Sequence, residues 1–362
     1  MRHFVVVSTY PEHGSKNIGD FLITQSLIAM IRRLSKVEPS ILTVWRGDSW
    51  EAVKDTIMAA DHVFFACLAI RPQMGDSIYP FASKLVEHDV RFSVHAAGTD
   101  LRVSGTENLY GGLDEDTVHL LREVATSATE FTTRGVLTQE FCRQLGLSKS
   151  RFEGDLAFYE PGRHGLPVTR PSQINTILVS DPHRAPQYME SFDALISGLM
   201  RMFPKASIKV VLHGLNPEIA DYCASKWIEC EPIFEDPEEG LAAYERGDIH
   251  VGYRVHGHVT ALKKRKPSYL LEQDGRGTDY GLTMSRRLTV PNYPLPTPVD
   301  KDAERVASQA SVVAPQELLA LVRRDIESGF ERFEGLGEEL TQYSQAAEAR
   351  VEKVIARLSE DA

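Results

Sequence analysis

The feature that most constrains this chain is a strand–helix alternation that runs to about residue 157, breaks, and then starts again. In the first run, segments 4–8, 41–45, 62–68, 91–95, 130–133 and 152–157 are short and rich in β-branched or aromatic residues, and read as strands. Between them, 21–34, 50–60, 81–86, 117–125 and 137–145 carry apolar residues at helical spacing. Arg32 and Arg33 sit near the end of the first of these, where cations suit the helix dipole. Strands separated by helices predict a mostly parallel sheet covered on both faces. Segment 160–172 is rich in Pro and Gly and reads as an interdomain linker. The alternation then resumes, with strands at 176–180, 208–213, 231–234, 249–253 and 268–271 and helices at 187–202, 217–227, 239–246 and 256–264. Segment 327–358 reads as one or two charged helices, with Gly335 and Gly337 as the break.

The expected fold is therefore α/β: two Rossmann-like domains with mostly parallel sheets facing across a cleft, with a C-terminal helical tail. The expected divisions are 1–165, 166–300 and a tail at 301–362 that packs back on the first domain. A length of 362 residues suits two cores better than one. A net charge of −11 argues against a general nucleic-acid binder, which presents a basic face, but leaves room for a local anion pocket. No apolar run is long enough to span a bilayer, and the apolar start at 4–7 reads as a strand, not a signal peptide. The four cysteines, Cys67, Cys142, Cys223 and Cys230, form no C-x-x-C pair. A reduced cytoplasmic protein without a metal–thiolate site is the expectation. The basic run Lys263-Lys264-Arg265-Lys266 offers contact with anionic lipid at the inner membrane face, although a basic helix end is ordinarily a favourable dipole arrangement.

In sheets of this kind ligands sit outside the carboxyl ends of the strands, which selects the loops to examine. Gly252-Tyr253-Arg254-Val255-His256 leaves the strand at 249–253 and enters a helix. The unpaired N–H groups of a helix start attract anions, a guanidinium matches carboxylate or phosphate, and an imidazole can carry a proton near neutral pH. Each residue alone is explained by capping or packing; together at a strand exit they point to function. His256 and His258, two apart on a helix, face different ways, so no shared metal is expected. After the first strand, Asn17, Gly19 and Asp20 precede a helix; Gly19 allows close approach of a ligand, and Asp20 is either the helix cap or a substrate contact. The segment lacks the Gly-Lys-Ser/Thr of a P-loop. His95 and Gly98 follow the fourth strand, Arg134 the fifth, and Asp155 the sixth. In the second half, His183 and Arg184 follow the first strand, although a turn already explains Asp181-Pro182. Asp274 and Arg276 lie in a glycine-rich polar stretch, 273–281, that reads as a ligand loop or lid.

Taken in order, Asn17-Ile18-Gly19-Asp20, Thr133-Arg134-Gly135, Gly154-Asp155-Leu156-Ala157 and above all Gly252-Tyr253-Arg254-Val255-His256 with Ala261 resemble the polysaccharide pyruvyl transferase family, over about residues 1 to 285. The resemblance implies a two-domain GT-B-like fold and transfer of the pyruvyl group of phosphoenolpyruvate to two hydroxyls of a sugar of a surface polysaccharide or its precursor. It implies a catalytic role for His256 and phosphoenolpyruvate binding by Arg254 and Arg134, with a saccharide acceptor and neither metal nor organic cofactor. The chain departs from the family at Leu271-Glu272-Gln273-Asp274-Gly275-Arg276, where Arg276 stands in place of an expected lysine, and at Ala96-Ala97-Gly98, where a fuller glycine-rich turn is expected. The alternatives are a GT-B glycosyltransferase using a nucleotide-sugar donor, and a non-catalytic sugar- or nucleotide-binding protein.

Overall fold

The computed structural model describes residues 2–10, 16–101, 112–294 and 309–360. Part of the loop after the first strand and the beginning of the 301–362 tail therefore lie outside the described residues. The chain forms two compact units. One comprises Met1–Glu12, Asp20–Pro161 and Thr341–Ala362; the other comprises His13–Gly19 and Gly162–Leu340.

The first unit contains, in order, β1 (His3–Ser8), α1 (Ile18–Leu34, starting at the unit boundary), β2 (Ser40–Trp45), α2 (Trp50–Met58), β3 (His62–Ala66), β4 (Ala69–Ile70), α3 (Ala82–Glu87), β5 (Phe92–Thr99), α4 (Glu115–Ser127), β6 (Phe131–Thr133), α5 (Val136–Gln144) and β7 (Arg151–Phe152). Its strands run parallel in the order β2-β1-β3-β5-β6-β7, with the short β4 beside β5. This is a doubly wound sheet whose connections reverse direction between β1 and β3. β1 is central, with Val6 opposite Thr43 on one side and Phe64 on the other. Its run Phe4-Val5-Val6-Val7 is buried throughout, as a strand covered on both faces requires.

The second unit contains β8 (Thr176–Ser180), α6 (Ala185–Met202), β9 (Ser207–Val211), α7 (Pro217–Ser225), β10 (Glu229–Glu231), α8 (Pro237–Ala242), β11 (Ile249–Gly252), α9 (Val255–Lys263), β12 (Ser268–Glu272), α10 (Gly275–Thr283), β13 (Thr289–Pro291) and α11 (Ala314–Glu327). All pairings are parallel, in the order β10-β9-β8-β11-β12-β13. This is the dinucleotide-fold order, with its reversal between β8 and β11. The last helix, α12 (Leu336–Glu360), begins among residues of the second unit and from Thr341 belongs to the first. There Arg350, Lys353 and Arg357 gather around the buried carboxylate of Glu130, and the Tyr343 ring stacks on Phe158.

The structure departs from the sequence reading at particular elements. The strand expected at 152–157 ends at Phe152. Asp155 then accepts the Ala157 N–H at 2.7 Å and turns Leu156–Phe158 into a short 3₁₀ helix. The strand expected at 91–95 continues as β5 to Thr99 through a bulge. At the bulge Ala96 adopts φ 55° and its N–H is taken by Thr132 Oγ1. The expected polar lid at 273–281 is instead α10, capped by Asp274, whose side chain accepts the Arg276 N–H. α11 falls in the tail expected to be helical but ahead of the 327–358 segment read as its helices; it packs on α6, with Leu319 seated over Gly198.

Among the described residues no helix is long and apolar enough to cross a membrane. The basic run at 263–266 is largely spent within the unit. Lys264 pairs with Glu245 at 3.2 Å, and buried Arg265 donates to the carbonyls of Leu166 and Arg163.

Candidate active site

The geometry rule for doubly wound sheets places ligands at the carboxyl ends of the strands flanking the reversal. In the second unit those strands are β8 and β11, and their exits carry Ser180-Asp181-Pro182-His183-Arg184 and Tyr253-Arg254-Val255-His256. The two exits are joined by an ion pair. Arg254 is the residue preceding α9, and it donates from Nε to Asp181 Oδ1 at 2.9 Å and from Nη2 to Oδ2 at 2.6 Å. Fully buried Asp181 also accepts the His213 N–H at 3.0 Å and the Asn216 side-chain amide at 2.6 Å. Four donors therefore hold the carboxylate, and the carboxylate in turn fixes the guanidinium. The fork expected to grip a ligand has one edge committed to Asp181, so the outer Nη2 hydrogen and the Nη1 hydrogen not taken by His183 are what it can offer.

Nη1 of Arg254 lies 3.1 Å from His183 Nδ1. A guanidinium only donates, so Nδ1 accepts and a neutral His183 carries its proton on Nε2. Packing around the ring, then the charges of Arg254, Arg276 and Arg184, push His183 down to about 4, with Asp181 opposing. The imidazole is therefore a neutral N–H donor in a cationic neighbourhood. Arg276 keeps its own counter-ion, donating from Nε to Asp274 at 3.0 Å. Gln273 ties the exits together: its Oε1 accepts the His183 N–H at 2.9 Å and its Nε2 donates to the Tyr253 carbonyl at 2.8 Å.

His256 lies in the first turn of α9 and is buried. Gly19 is pressed against it so closely that a Cβ there would stand 2.4 Å from His256 Nδ1. Asn17 Oδ1 accepts the Gly19 N–H at 3.2 Å, and the neighbouring Ile18 N–H donates to the His213 carbonyl at 3.0 Å. Asn17, Gly19, His213 and His256 thus form one cluster. His213 Nε2 is 2.6 Å from the Tyr244 hydroxyl, and burial, then Arg254 and His256, push His213 well below the usual imidazole range. Asp20 is not the helix cap; α1 starts at Ile18, and the side chain that takes an N–H there is that of Asn17.

In the first unit, Arg134 is buried at the exit of β6, and its N–H donates to the Ala97 carbonyl at 3.0 Å. Its guanidinium lies across Gly98, where a Cβ would fall 2.2 Å from Nε. The pairing of a large cation with a residue lacking a side chain is therefore steric. Arg134, Asp155 and Asp20 surround Cys67, which follows β3 at the reversal of this sheet. Burial pushes the Cys67 thiol up to about 11, Arg134 and Arg46 oppose this, and Asp155 and Asp20 add to it. His95 is placed differently from the expected ligand loop. It lies within β5, fully buried, with Nε2 3.1 Å from Ser93 Oγ and Nδ1 3.6 Å from the Glu153 carboxylate. Ser93 Oγ also meets His62 Nε2 at 3.0 Å, and burial pushes His62 down to about 3.

Among the described residues no group of three or more His, Cys, Asp or Glu side chains is placed to hold a metal ion. Reading the sequence missed Asp181, His213, Asn216 and Ser180 as members of the site. The available signal was their position at the exits of β8 and β9.

Two parallel α/β units of the GT-B-like class, with cationic strand exits, define an enzyme of the transferase type. The chain belongs to the polysaccharide pyruvyl transferase family, which matches residues 17–275. Comparison with curated proteins found no match. Solved structures similar in fold include UDP-GlcNAc 2-epimerase from Neisseria meningitidis bound to UDP-GlcNAc, at 12% identity and a TM-score of 0.57. That likeness covers 98% of this chain and 100% of the epimerase. The S. aureus MnaA–UDP co-structure is similar at 10% identity and a TM-score of 0.56, covering 97% of this chain and 95% of MnaA. A putative UDP-N-acetylglucosamine 2-epimerase from Listeria monocytogenes gives 11% identity and a TM-score of 0.56, with coverage of 96% and 93%.

Proposed function

We propose that this enzyme transfers the pyruvyl group of phosphoenolpyruvate to two hydroxyls of a sugar belonging to a surface polysaccharide or its precursor, forming a ketal and releasing phosphate. The observation that carries this reading is Arg254 locked on Asp181 at the β8–β11 reversal, two residues before His256, in a chain of this family. Phosphoenolpyruvate carries a carboxylate and a phosphate. Arg254, with His183, Arg184 and Arg276 beside it, and Arg134 in the first unit are the anion-binding groups. His256 is the acid–base group. Protonation of the methylene carbon leaves an electrophilic centre at the carbon bearing the phosphate. One sugar hydroxyl adds there, phosphate departs with the C–O bonding pair, and the second hydroxyl closes the ketal. The two hydroxyl protons balance the proton gained by carbon and the one carried off by phosphate. General acid–base help of this kind contributes about 10²–10⁴-fold. Asn17 and Gly19 shape the surface beside His256, and Asp20 and Asp155 are proposed for the acceptor.

The test is direct. Phosphoenolpyruvate should raise the melting temperature, because a ligand bound only by the native state stabilises it. The shift should disappear in Arg254→Ala and shrink in Arg134→Ala. With a saccharide acceptor, phosphate should be released, and His256→Ala should lose that activity while retaining the thermal shift. A shift with nucleotide sugars alone, with nucleoside diphosphate released, would replace this reading by the glycosyltransferase. A thermal shift with no phosphate release by the unaltered protein, unaffected by His256→Ala, would point to a binding protein.

A further inference from the structure

Beneath Arg254 the second unit contains a continuous buried chain of hydrogen bonds. Ser180 Oγ lies 3.1 Å from the Tyr253 N, 3.1 Å from the Arg254 N and 3.0 Å from His250 Nε2. His250 Nδ1 lies 2.7 Å from Ser268 Oγ, and Ser268 Oγ lies 2.7 Å from His258 Nδ1. Ser180, His250, Ser268 and His258 are all fully or almost fully buried. Burial pushes His258 down to about 3 and His250 well below the ordinary imidazole range, so both rings are neutral.

The direction of the chain follows from counting protons. Backbone N–H groups only donate, so the two lone pairs of Ser180 Oγ are taken by Tyr253 and Arg254. The single Ser180 hydroxyl proton then goes to His250 Nε2, which must be bare. A neutral His250 therefore carries its proton on Nδ1 and donates to Ser268. Ser268 donates onward to His258 Nδ1, leaving the proton of His258 on Nε2, which is buried without a hydrogen-bond acceptor. That unsatisfied N–H is a cost borne where the chain ends and not where the strand exit is held.

We propose that Ser180 and His250 are positioning residues for Arg254, with His250 held in its Nδ1–H tautomer so that the Ser180 oxygen always faces the two amides at the start of α9. Asp181, the next residue of the same strand exit, holds the guanidinium, so both ends of Arg254 are fixed from β8. The inference deepens the assignment of Arg254 to an anionic substrate and rests on it for its functional consequence alone.

The experiment uses the full chain labelled with ¹⁵N-histidine and a parallel amide-exchange measurement. His250 should show the Nδ1–H tautomer. Ser268→Ala removes the acceptor of the His250 Nδ1–H; it should leave that tautomer in place, because Ser180 still donates to Nε2, but should loosen the ring and speed exchange of the Tyr253 and Arg254 amides at least several-fold. Ser180→Ala should speed that exchange further and weaken phosphoenolpyruvate binding about tenfold, the scale of one lost hydrogen bond near 1.4 kcal/mol. An Nε2–H tautomer of His250 in the unaltered protein would overturn the proposal, as would Ser268→Ala with unchanged exchange of the two amides. If Ser180→Ala does not fold, the tautomer and the Ser268→Ala result still decide. If the unaltered protein binds no phosphoenolpyruvate, the functional reading fails while the tautomer and exchange results stand on their own.

Discussion

At the scale of single residues, the decisive fact is that the cations expected to meet substrate are themselves held by neighbours. Asp181 is buried and its charge is matched by Arg254. Removing one partner of a buried pair typically costs about 3–5 kcal/mol, because the other charge stays behind without compensation. Asp181→Asn should therefore lower the melting temperature by about 5 °C or more and abolish the phosphoenolpyruvate-induced shift. Differential scanning calorimetry with and without ligand checks both, and a variant that melts and binds like the parent would remove Asp181 from the site. Gly98 makes a second case. A methyl group there would meet the Arg134 guanidinium at 2.2 Å, so Gly98→Ala must displace it. The expected loss of ligand affinity equals that of Arg134→Ala, and the double variant should be no worse than Arg134→Ala alone, since both changes act on one group. Additive losses in a titration series would contradict this. These residues also mark what was legible in the sequence. Arg254 and His256 could be found because their chemistry is local to one strand-to-helix turn. Asp181, His213 and Asn216 were marked only by lying at the exits of β8 and β9, and their role appears only when those strands bring them beside Arg254 from far along the chain.

At the scale of elements, periodicity located most strands and helices and failed where a side chain redirected the backbone. The 273–281 stretch has the glycine and polar content of a loop, yet Asp274 supplies a helix start and α10 follows. The stretch after Phe152 has strand-like residues, yet Asp155 closes a turn instead. α11 was not located within the tail although Pro315 stands in its first turn and Leu318, Leu319 and Val322 mark its buried face. The charged character of α12 was evident, but the partner of its basic residues was not, because Glu130 lies far earlier in the chain. The Glu130 cluster gives a prediction about how α12 is held. Its three cations are partly exposed, so each contact is screened and modest, while the carboxylate itself is buried. Glu130→Gln should cost about 1 kcal/mol, seen as a fall of about 2–4 °C in melting temperature. The difference should narrow as salt is raised, because screening already weakens the native contacts. A melting temperature unchanged at low salt would mean that apolar packing, such as Tyr343 on Phe158, holds α12 unaided.

At the scale of the whole molecule, the chain buries imidazoles in both units, and this sets its response to acid. His62 in the first unit and His258 in the second are pushed down to about 3, in each case with burial as the largest cause. His213 and His250 are pushed well below 6.5, and His183 down to about 4, again with burial first. In the unfolded chain these groups return to about 6.5. Above that value both states hold them neutral and they leave stability unchanged. As pH falls through 6.5 the unfolded chain binds protons that the native protein refuses, so stability drops, and for His62, His258 and His183 it continues to drop until the native groups titrate near 3 to 4. His62, His258 and His183 together would give a slope approaching about 4 kcal/mol per pH unit near pH 5, a large part of the net stability of an ordinary domain within two units, and His213 and His250 act in the same direction. The expectation is a nearly flat melting temperature from pH 8 to 7 and a sharp decline below about 6, with an uptake of several protons on unfolding. Calorimetry at a series of pH values measures this. Replacing His62, which lies in the first unit behind Ser93, by Gln should soften the decline by about one proton and leave the phosphoenolpyruvate shift at neutral pH intact. A melting temperature that held level down to pH 5 would show that these rings accept protons in the folded protein, and the neutral hydrogen-bond chains in both units would have to be redrawn.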